Sequence, residues 1–147
     1  MLANQAKLAQ FAKENGIKLV VLFGSRAKSA KGEKTVIRED SDFDIAVLTV
    51  LGENIKKSMD NYNNILFGLR DVLNIPDYKI DLTNLNGANI LLKYHITSTG
   101  VLLYGNRTDY EELKALAFRE YIDARPLFHL ENLLIHKRQK FIAEALQ

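Results

Sequence analysis

Short apolar runs alternate with longer amphipathic segments along this chain, and the alternation predicts an α/β domain. Residues 18–23 and 43–50 are apolar runs bounded by turn residues, a pattern typical of buried strands. Residues 78–82 and 101–104 predict two shorter strands. Because helical segments separate these runs, we expect a mixed sheet backed by helices on one side.

Four segments have helical composition, namely residues 2–14, 55–73, 86–98 and 109–146. The second has the clearest periodicity, since its apolar residues recur every three or four positions and form one stripe; they are Ile55, Met59, Tyr62, Leu66, Leu69 and Leu73. Pro126 predicts a kink or a break in the last segment. Residues 28–40 show no sustained period and predict a loop or an irregular hairpin.

The length of 147 residues predicts one domain, residues 1–147, with a core in 1–106 and a C-terminal helical segment in 107–147. No apolar run approaches the roughly 20 residues of a membrane span, and the N-terminus lacks the apolar region of a signal peptide. The absence of cysteine excludes disulfides and thiolate zinc sites. We therefore expect a cytoplasmic protein that does not bind membranes. The net charge of +2 does not indicate nucleic-acid binding, and none is expected.

The candidate chemistry begins with two acidic residues, Asp42 and Asp44, at the start of the second predicted strand. Side chains at positions i and i+2 of a strand share a face and lie roughly 6.5–7 Å apart. At an effective dielectric of about 20, two carboxylates at that separation repel by about 2–3 kcal/mol. A divalent cation would reverse the sign of this energy, and oxygen ligands favour Mg²⁺ or Mn²⁺.

The first strand ends at Gly24 and Ser25, which complete the candidate site. Gly24 permits close backbone approach, and Ser25 offers a hydroxyl and an N–H group to a phosphate oxygen. Phosphate-binding groups beside carboxylate metal ligands are what nucleotidyl transfer requires. Basic residues that follow either contact a triphosphate or form a solvated loop; they are Arg26, Lys28, Lys31, Lys34 and Arg38.

Gly24-Ser25 followed by Asp42-x-Asp44 resembles the signature of nucleotidyltransferases of the DNA polymerase β superfamily. The size and flanks of the chain are most similar to the minimal nucleotidyltransferase (MNT) group, the antitoxin partners of HEPN-domain toxins. The chain departs from this group in having 16 residues between Ser25 and Asp42 and in its residues 26–29, which read Arg-Ala-Lys-Ser. Because a longer loop costs little free energy, we expect the fold to be kept.

The resemblance implies that a third carboxylate from a neighbouring strand completes the metal and base set, and Asp81 has the matching position. Asp77, in the turn after Pro76, is the alternative. His95 is interpreted as a partly buried, hydrogen-bonded helix residue rather than a catalytic one. The implied catalytic and metal-binding residues are Asp42, Asp44 and Asp81, and the implied nucleotide-binding residues are Gly24, Ser25, Arg26 and Lys28.

The activity implied by the resemblance is Mg²⁺-dependent transfer of AMP from ATP to a tyrosine hydroxyl of a cognate HEPN ribonuclease toxin. The toxin would be neutralised, and the two proteins would form a hetero-oligomer. The alternative is a non-catalytic antitoxin that blocks the toxin by stoichiometric complex formation through its C-terminal helix. A small-molecule nucleotidyltransferase is less favoured because the chain has no room for an acceptor-binding domain.

Overall fold

The computed structural model describes residues 4–32 and 38–147. Within these residues, four strands form one sheet in the order β3-β2-β1-β4, with β1 (Ile17–Phe23), β2 (Phe43–Thr49), β3 (Ile80–Asn84) and β4 (Val101–Tyr104). Strand β1 runs antiparallel to both β2 and β4, whereas β2 and β3 are parallel. The predicted mixed sheet is therefore confirmed.

In the described part of the chain, five α-helices accompany the sheet: α1 (Gln5–Glu14), α2 (Gly24–Ala30), α3 (Met59–Leu73), α4 (Ile90–Thr99) and α5 (Arg107–Ala145). Four of them begin at a polar side chain that accepts a hydrogen bond from the first turn, as N-cap residues do; these caps are Asn4, Ser58, Asn89 and Asn106.

Two of these caps correct helix starts expected from sequence. Ser58 delays α3, so that residues 55–57 form a separate 3₁₀ turn, and Asn89 delays α4 beyond residues 85–87. Met59, placed on the buried stripe of α3 by its spacing, is 74% exposed, and Ile65 is buried instead.

Helices cover both faces of the sheet, which corrects the expectation of helices on one side. On the first face, alternate strand residues such as Val20 and Ile45 pack against α1 and α3. On the second face, Val21 and Ala46 pack against Ile96 of α4 and Tyr110 of α5. An irregularity between residues 17 and 19 shifts the register of β1. As a result Ile17 and Leu19 lie on opposite faces.

Helix α2 replaces the first part of the predicted loop. Its seven residues bury only Ala27, so they are too few and too polar to show a helical period in the sequence. The chain turns at residues 31–32 and again at 39–40. Lys34, one of the basic residues considered above, lies outside the described residues.

Helix α5 continues through Pro126, so the alternative of a break is wrong, while the alternative of a kink stays a prediction. The proline removes the hydrogen bond that would reach the carbonyl of Ile122. Ile122 is 40% exposed, so this part of α5 lies at the protein surface, where water is available to a carbonyl without a helical partner. Within residues 4–32 and 38–147, no helix combines the length and the apolarity needed to cross a membrane.

The two halves of α5 differ in their contacts. In the first half, the Tyr110 hydroxyl donates a hydrogen bond to the carbonyl of Thr97 (2.9 Å), and Tyr121 stacks on Tyr94 of α4 with ring centroids 4.1 Å apart. Every residue from 129 to 147 is exposed. The second half therefore extends away from the sheet.

Candidate active site

Three carboxylates lie near one another at the end of the sheet where β2 begins, with Asp44 and Asp81 on its second face. Asp44 and Asp81 are direct neighbours in the parallel pairing of β2 with β3, where strands lie about 4.8 Å apart. Ile80 and Leu82 point into the first-face core, so Asp81 points the other way, as the alternation predicted. Asp42 directly precedes β2 and lies close enough to Asp44 for its charge to act on that carboxylate.

The electrostatics of Asp44 indicate that these carboxylates affect one another. Burial raises the pKa of Asp44, the negative charges of Asp81 and Asp42 raise it further, and His95 lowers it in part. Within the described residues, none of the three carboxylates has a basic side chain at salt-bridge distance. Two of them, Asp42 and Asp81, are exposed.

The carboxylates fit a divalent cation by their chemistry, although they are not gathered around one position. Among residues 4–32 and 38–147, no three acidic or histidine side chains are close enough to hold a metal ion as they stand. Uncompensated like charges oppose closer approach, and a cation would remove that opposition. An all-oxygen donor set of this kind suits Mg²⁺.

Gly24 brings the end of β1 against Asp44. Phe23 pairs with Asp44 across the antiparallel strands, and Gly24 follows with φ +73°, a conformation that L-residues rarely adopt. A Cβ atom at Gly24 would collide with Oδ2 of Asp44. Ser25 lies in the first turn of α2, next to this contact. The structure therefore brings Gly24 and Ser25 together with Asp44 and Asp81.

Arg26 does not point to the carboxylates. Its Nη2 donates a hydrogen bond to the carbonyl of Ser41 (3.1 Å), and its guanidinium lies 4.4 Å from the centroid of the Phe43 ring. Phe43 packs on the first-face core, so Arg26 lines an open depression of about 760 Å³ on that side, away from the carboxylates. Arg26 therefore holds the start of β2 in place.

The remaining basic residues divide between anchored and exposed positions. Lys31 Nζ donates a hydrogen bond to the carbonyl of Thr99 (2.8 Å), which ties α2 to α4. Lys28 is exposed on α2.

Asp77, the alternative third carboxylate, lies in the turn beside α3. The pKa of Arg70 is raised mainly by its hydrogen bond to Asp71, and the negative charge of Asp77 makes a smaller contribution. Asp77 is thus separate from Asp44 and Asp81.

The exposure of His95, which lies near the carboxylates, differs from the sequence prediction. His95 was expected to be partly buried and hydrogen-bonded, but it is exposed on α4, and its ring stands edge-on to Phe23 with centroids 6.3 Å apart. Neither the helical period nor any local motif indicates this position, because it depends on how α4 packs against the end of β1.

Comparisons with known proteins agree with this geometry. The sequence model of the family described as Polymerase beta, Nucleotidyltransferase matches residues 6–109. No curated protein sequence matches the chain.

Solved structures show the same fold. A chain of a toxin–antitoxin complex with AMP-PNP superimposes with a TM-score of 0.63 and 21% identity, covering 89% of this chain and 98% of that one. A chain from the Shewanella oneidensis complex of a tri-AMPylated HEPN toxin with an MNT antitoxin gives 0.58 and 20%, covering 88% and 95%. A MntA–HepT toxin–antitoxin structure gives 0.58 and 20%, covering 88% and 96%.

The family match extends from α1 into the start of α5 and includes Gly24, Ser25, Asp42, Asp44 and Asp81. The family predicted from the Gly-Ser and Asp-x-Asp motifs is therefore confirmed: this chain belongs to the polymerase β nucleotidyltransferase family.

Proposed function

We propose that this protein is an antitoxin that transfers AMP from ATP to a tyrosine hydroxyl of a HEPN-type ribonuclease toxin. The observation that carries the proposal is the pairing of Asp44 with Asp81 beside the Gly24-Ser25 turn. Membership of the nucleotidyltransferase family supports the reaction class. The partner is suggested by the similar structures, which come from toxin–antitoxin complexes, one with AMP-PNP and one with an AMPylated HEPN toxin.

In the proposed reaction the tyrosine oxygen attacks the α-phosphorus of ATP. A bond forms between that oxygen and the α-phosphorus, the bond from the α-phosphorus to the bridging oxygen breaks, and pyrophosphate leaves. Asp81 is exposed and can accept the tyrosine proton. Gly24 and Ser25 would hold the β- and γ-phosphates, with exposed Lys28 as a further contact.

The three carboxylates Asp42, Asp44 and Asp81 would hold Mg²⁺. When bound, Mg²⁺ neutralises triphosphate charge and lowers the pKa of the acceptor hydroxyl. Arg26 was also expected to bind nucleotide, but in our proposal it stabilises the start of β2 through Ser41 and Phe43.

The decisive experiment measures label transferred from α-³²P-ATP to a HEPN-type toxin that binds this protein. Loss of a metal ligand removes several kcal/mol of transition-state stabilisation, so we expect Asp42→Asn to slow transfer about a thousandfold with an unchanged thermal melt. Asp77→Asn is the matched control, because Asp77 lies away from the carboxylates, and it should retain wild-type transfer. Wild-type transfer by Asp42→Asn would refute the proposal.

A second candidate function is a binding antitoxin that occludes the toxin without chemistry. It is favoured by the extended half of α5, which exposes many large apolar side chains of the kind that protein partners cover; they are Leu127, Leu130, Leu133, Leu134, Ile135, Phe141 and Ile142.

A titration separates the two candidates. A catalytic antitoxin should neutralise the toxin's ribonuclease activity at sub-stoichiometric amounts, and only with ATP and Mg²⁺. An occluding antitoxin should need at least equimolar protein and ignore ATP. Double substitution of Leu130 and Leu134 by Glu should strongly weaken neutralisation by an occluding antitoxin, because both residues lie on the extended half of α5.

A further inference from the structure

His95 lies on the same face of the sheet as the carboxylates. Phe23, against which its ring packs edge-on, pairs with Asp44, and Asp44 pairs with Asp81. Side chains paired across neighbouring strands share a face. The imidazole therefore stands beside the residue that leads directly into the Gly24-Ser25 turn.

Helix α4 lies beside α2, the helix that begins with Gly24 and Ser25. The hydrogen bond from Lys31 to the carbonyl of Thr99 joins their C-terminal ends at 2.8 Å. His95 lies one turn before Thr99, and residues four apart share a helix face. The His95 ring packs against Phe23, the residue directly before Gly24, so the imidazole lies near the N-terminal end of α2.

Two of the other nearby cations are engaged elsewhere. Arg26 contacts Ser41 and Phe43, and Lys31 is held by Thr99. Among the described residues, the ring nitrogens of His95 have no hydrogen-bond partner, although the ring is fixed against Phe23. An imidazole N–H group oriented in this way is available as a donor.

From this geometry we infer that His95 donates a hydrogen bond to a phosphate oxygen of the bound nucleotide, from the α4 side of the site. The inference rests on the proposed nucleotide-binding function and adds a binding residue to it. A triphosphate held by Gly24 and Ser25 would lie at the N-terminal end of α2, next to the contact between Phe23 and His95. A donor on α4 would then reach the triphosphate from a different helix than Ser25 and Lys28 do.

Two substitutions separate the donor from the ring. His95→Phe keeps the edge contact with Phe23 but removes the donor, whereas His95→Gln keeps a donor and removes the ring. His136→Phe is the matched control, since His136 is exposed on the extended half of α5. Binding is measured with a fluorescent, non-transferable α,β-methylene ATP and Mg²⁺, so that no toxin is needed.

A lost hydrogen bond to a charged oxygen should raise the dissociation constant of His95→Phe about tenfold. His95→Gln should recover most of that loss, the control should bind like wild type, and all three should melt within a degree or so of wild type. Inorganic tripolyphosphate, used as a competitor, should lose affinity for His95→Phe to the same extent. These results together would support the inference.

Several outcomes would overturn it. If His95→Phe binds nucleotide like wild type, or if only His95→Gln weakens binding and lowers the melting temperature, His95 has a packing role. If tripolyphosphate affinity is unchanged while nucleotide affinity falls, the contact is to the base or ribose. If the wild-type protein binds no nucleotide, the proposed function itself fails, which is distinct from a loss confined to His95 variants.

Discussion

Strand β2 carries polar side chains at both ends, and the surrounding protein treats them in opposite ways. At its last residue, Asn86 Oδ1 accepts hydrogen bonds from the backbone N–H (3.0 Å) and the hydroxyl (3.2 Å) of Thr49. The Thr49 hydroxyl also lies 2.9 Å from the carbonyl of Glu53. At the beginning of β2, Asp44 is instead partly buried near two other carboxylates, and its pKa is raised.

The contrast separates structural from functional polar groups. The Thr49 end has its hydrogen bonds satisfied within the chain, as folded proteins normally require of partly buried polar groups. At the Asp44 end, no basic side chain of the described residues lies at salt-bridge distance, and His95 offsets the raised pKa of Asp44 only in part, so the arrangement costs free energy until a ligand binds. We therefore expect substitutions at the two ends to have opposite consequences for stability and activity.

The largest effect after loss of a metal ligand is expected for Gly24→Ala. The new methyl group would displace the Asp44 carboxylate, and a misplacement of about 1 Å can cost about a hundredfold in rate. The left-handed backbone adds about 1–2 kcal/mol of strain. AMP transfer and urea unfolding measure the two effects.

Gly16→Ala is the control for the strain. Gly16 has φ +63°, but a Cβ there meets nothing within 4 Å. It should lose a similar amount of stability and keep wild-type transfer. If Gly24→Ala transfers AMP as fast as Gly16→Ala, Gly24 does not position Asp44.

At the other end of β2, Asn86→Ala should lower the free energy of unfolding by about 1–3 kcal/mol, because the Thr49 N–H group loses its partner. Transfer measured well below the melting temperature should stay within about twofold of wild type. Asn64→Ala, at an exposed position of α3, should leave stability nearly unchanged. A large loss of transfer in Asn86→Ala would contradict the division between the two ends.

The smallest effect concerns stability and pH without divalent metal. Because folding raises the pKa of Asp44, the folded protein binds this proton more tightly than the unfolded chain does. The stabilisation of the folded protein by this proton is complete below the pKa of Asp44 in the unfolded chain, about 3.9. It is lost as the pH rises through the pKa of Asp44 in the folded protein. Asp44→Asn should therefore melt above wild type at neutral pH, and the difference should vanish near about pH 4.

Magnesium should reverse this order. At about a hundredfold excess over its dissociation constant, a cation bound only by the folded state adds about 2.7 kcal/mol to wild type. Asp44→Asn should gain much less, and Asp123→Asn, an exposed α5 variant, should behave like wild type in both conditions. If Asp44→Asn melts below wild type without metal, the carboxylates do not repel in the folded state.

Sequence alone was sufficient for the elements with strong local patterns. The apolar runs located β1, β2 and β4, and the Gly24-Ser25 and Asp42-x-Asp44 motifs indicated the family that residues 6–109 match. The alternation of Ile80 and Leu82 with Asp81 also predicted the face on which that carboxylate lies. These features depend on period and on residues adjacent in the chain, which a sequence states directly.

Tertiary structure alone decided the features that depend on contacts between distant segments. Arg26 and Lys28 lie in the same short helix, yet Arg26 turns to Ser41 and Phe43 because the start of β2 passes beside it. His95 reaches Phe23 only because α4 packs on the second face of the sheet. No local pattern encodes such approaches, since packing between elements far apart in the chain sets the direction of each side chain.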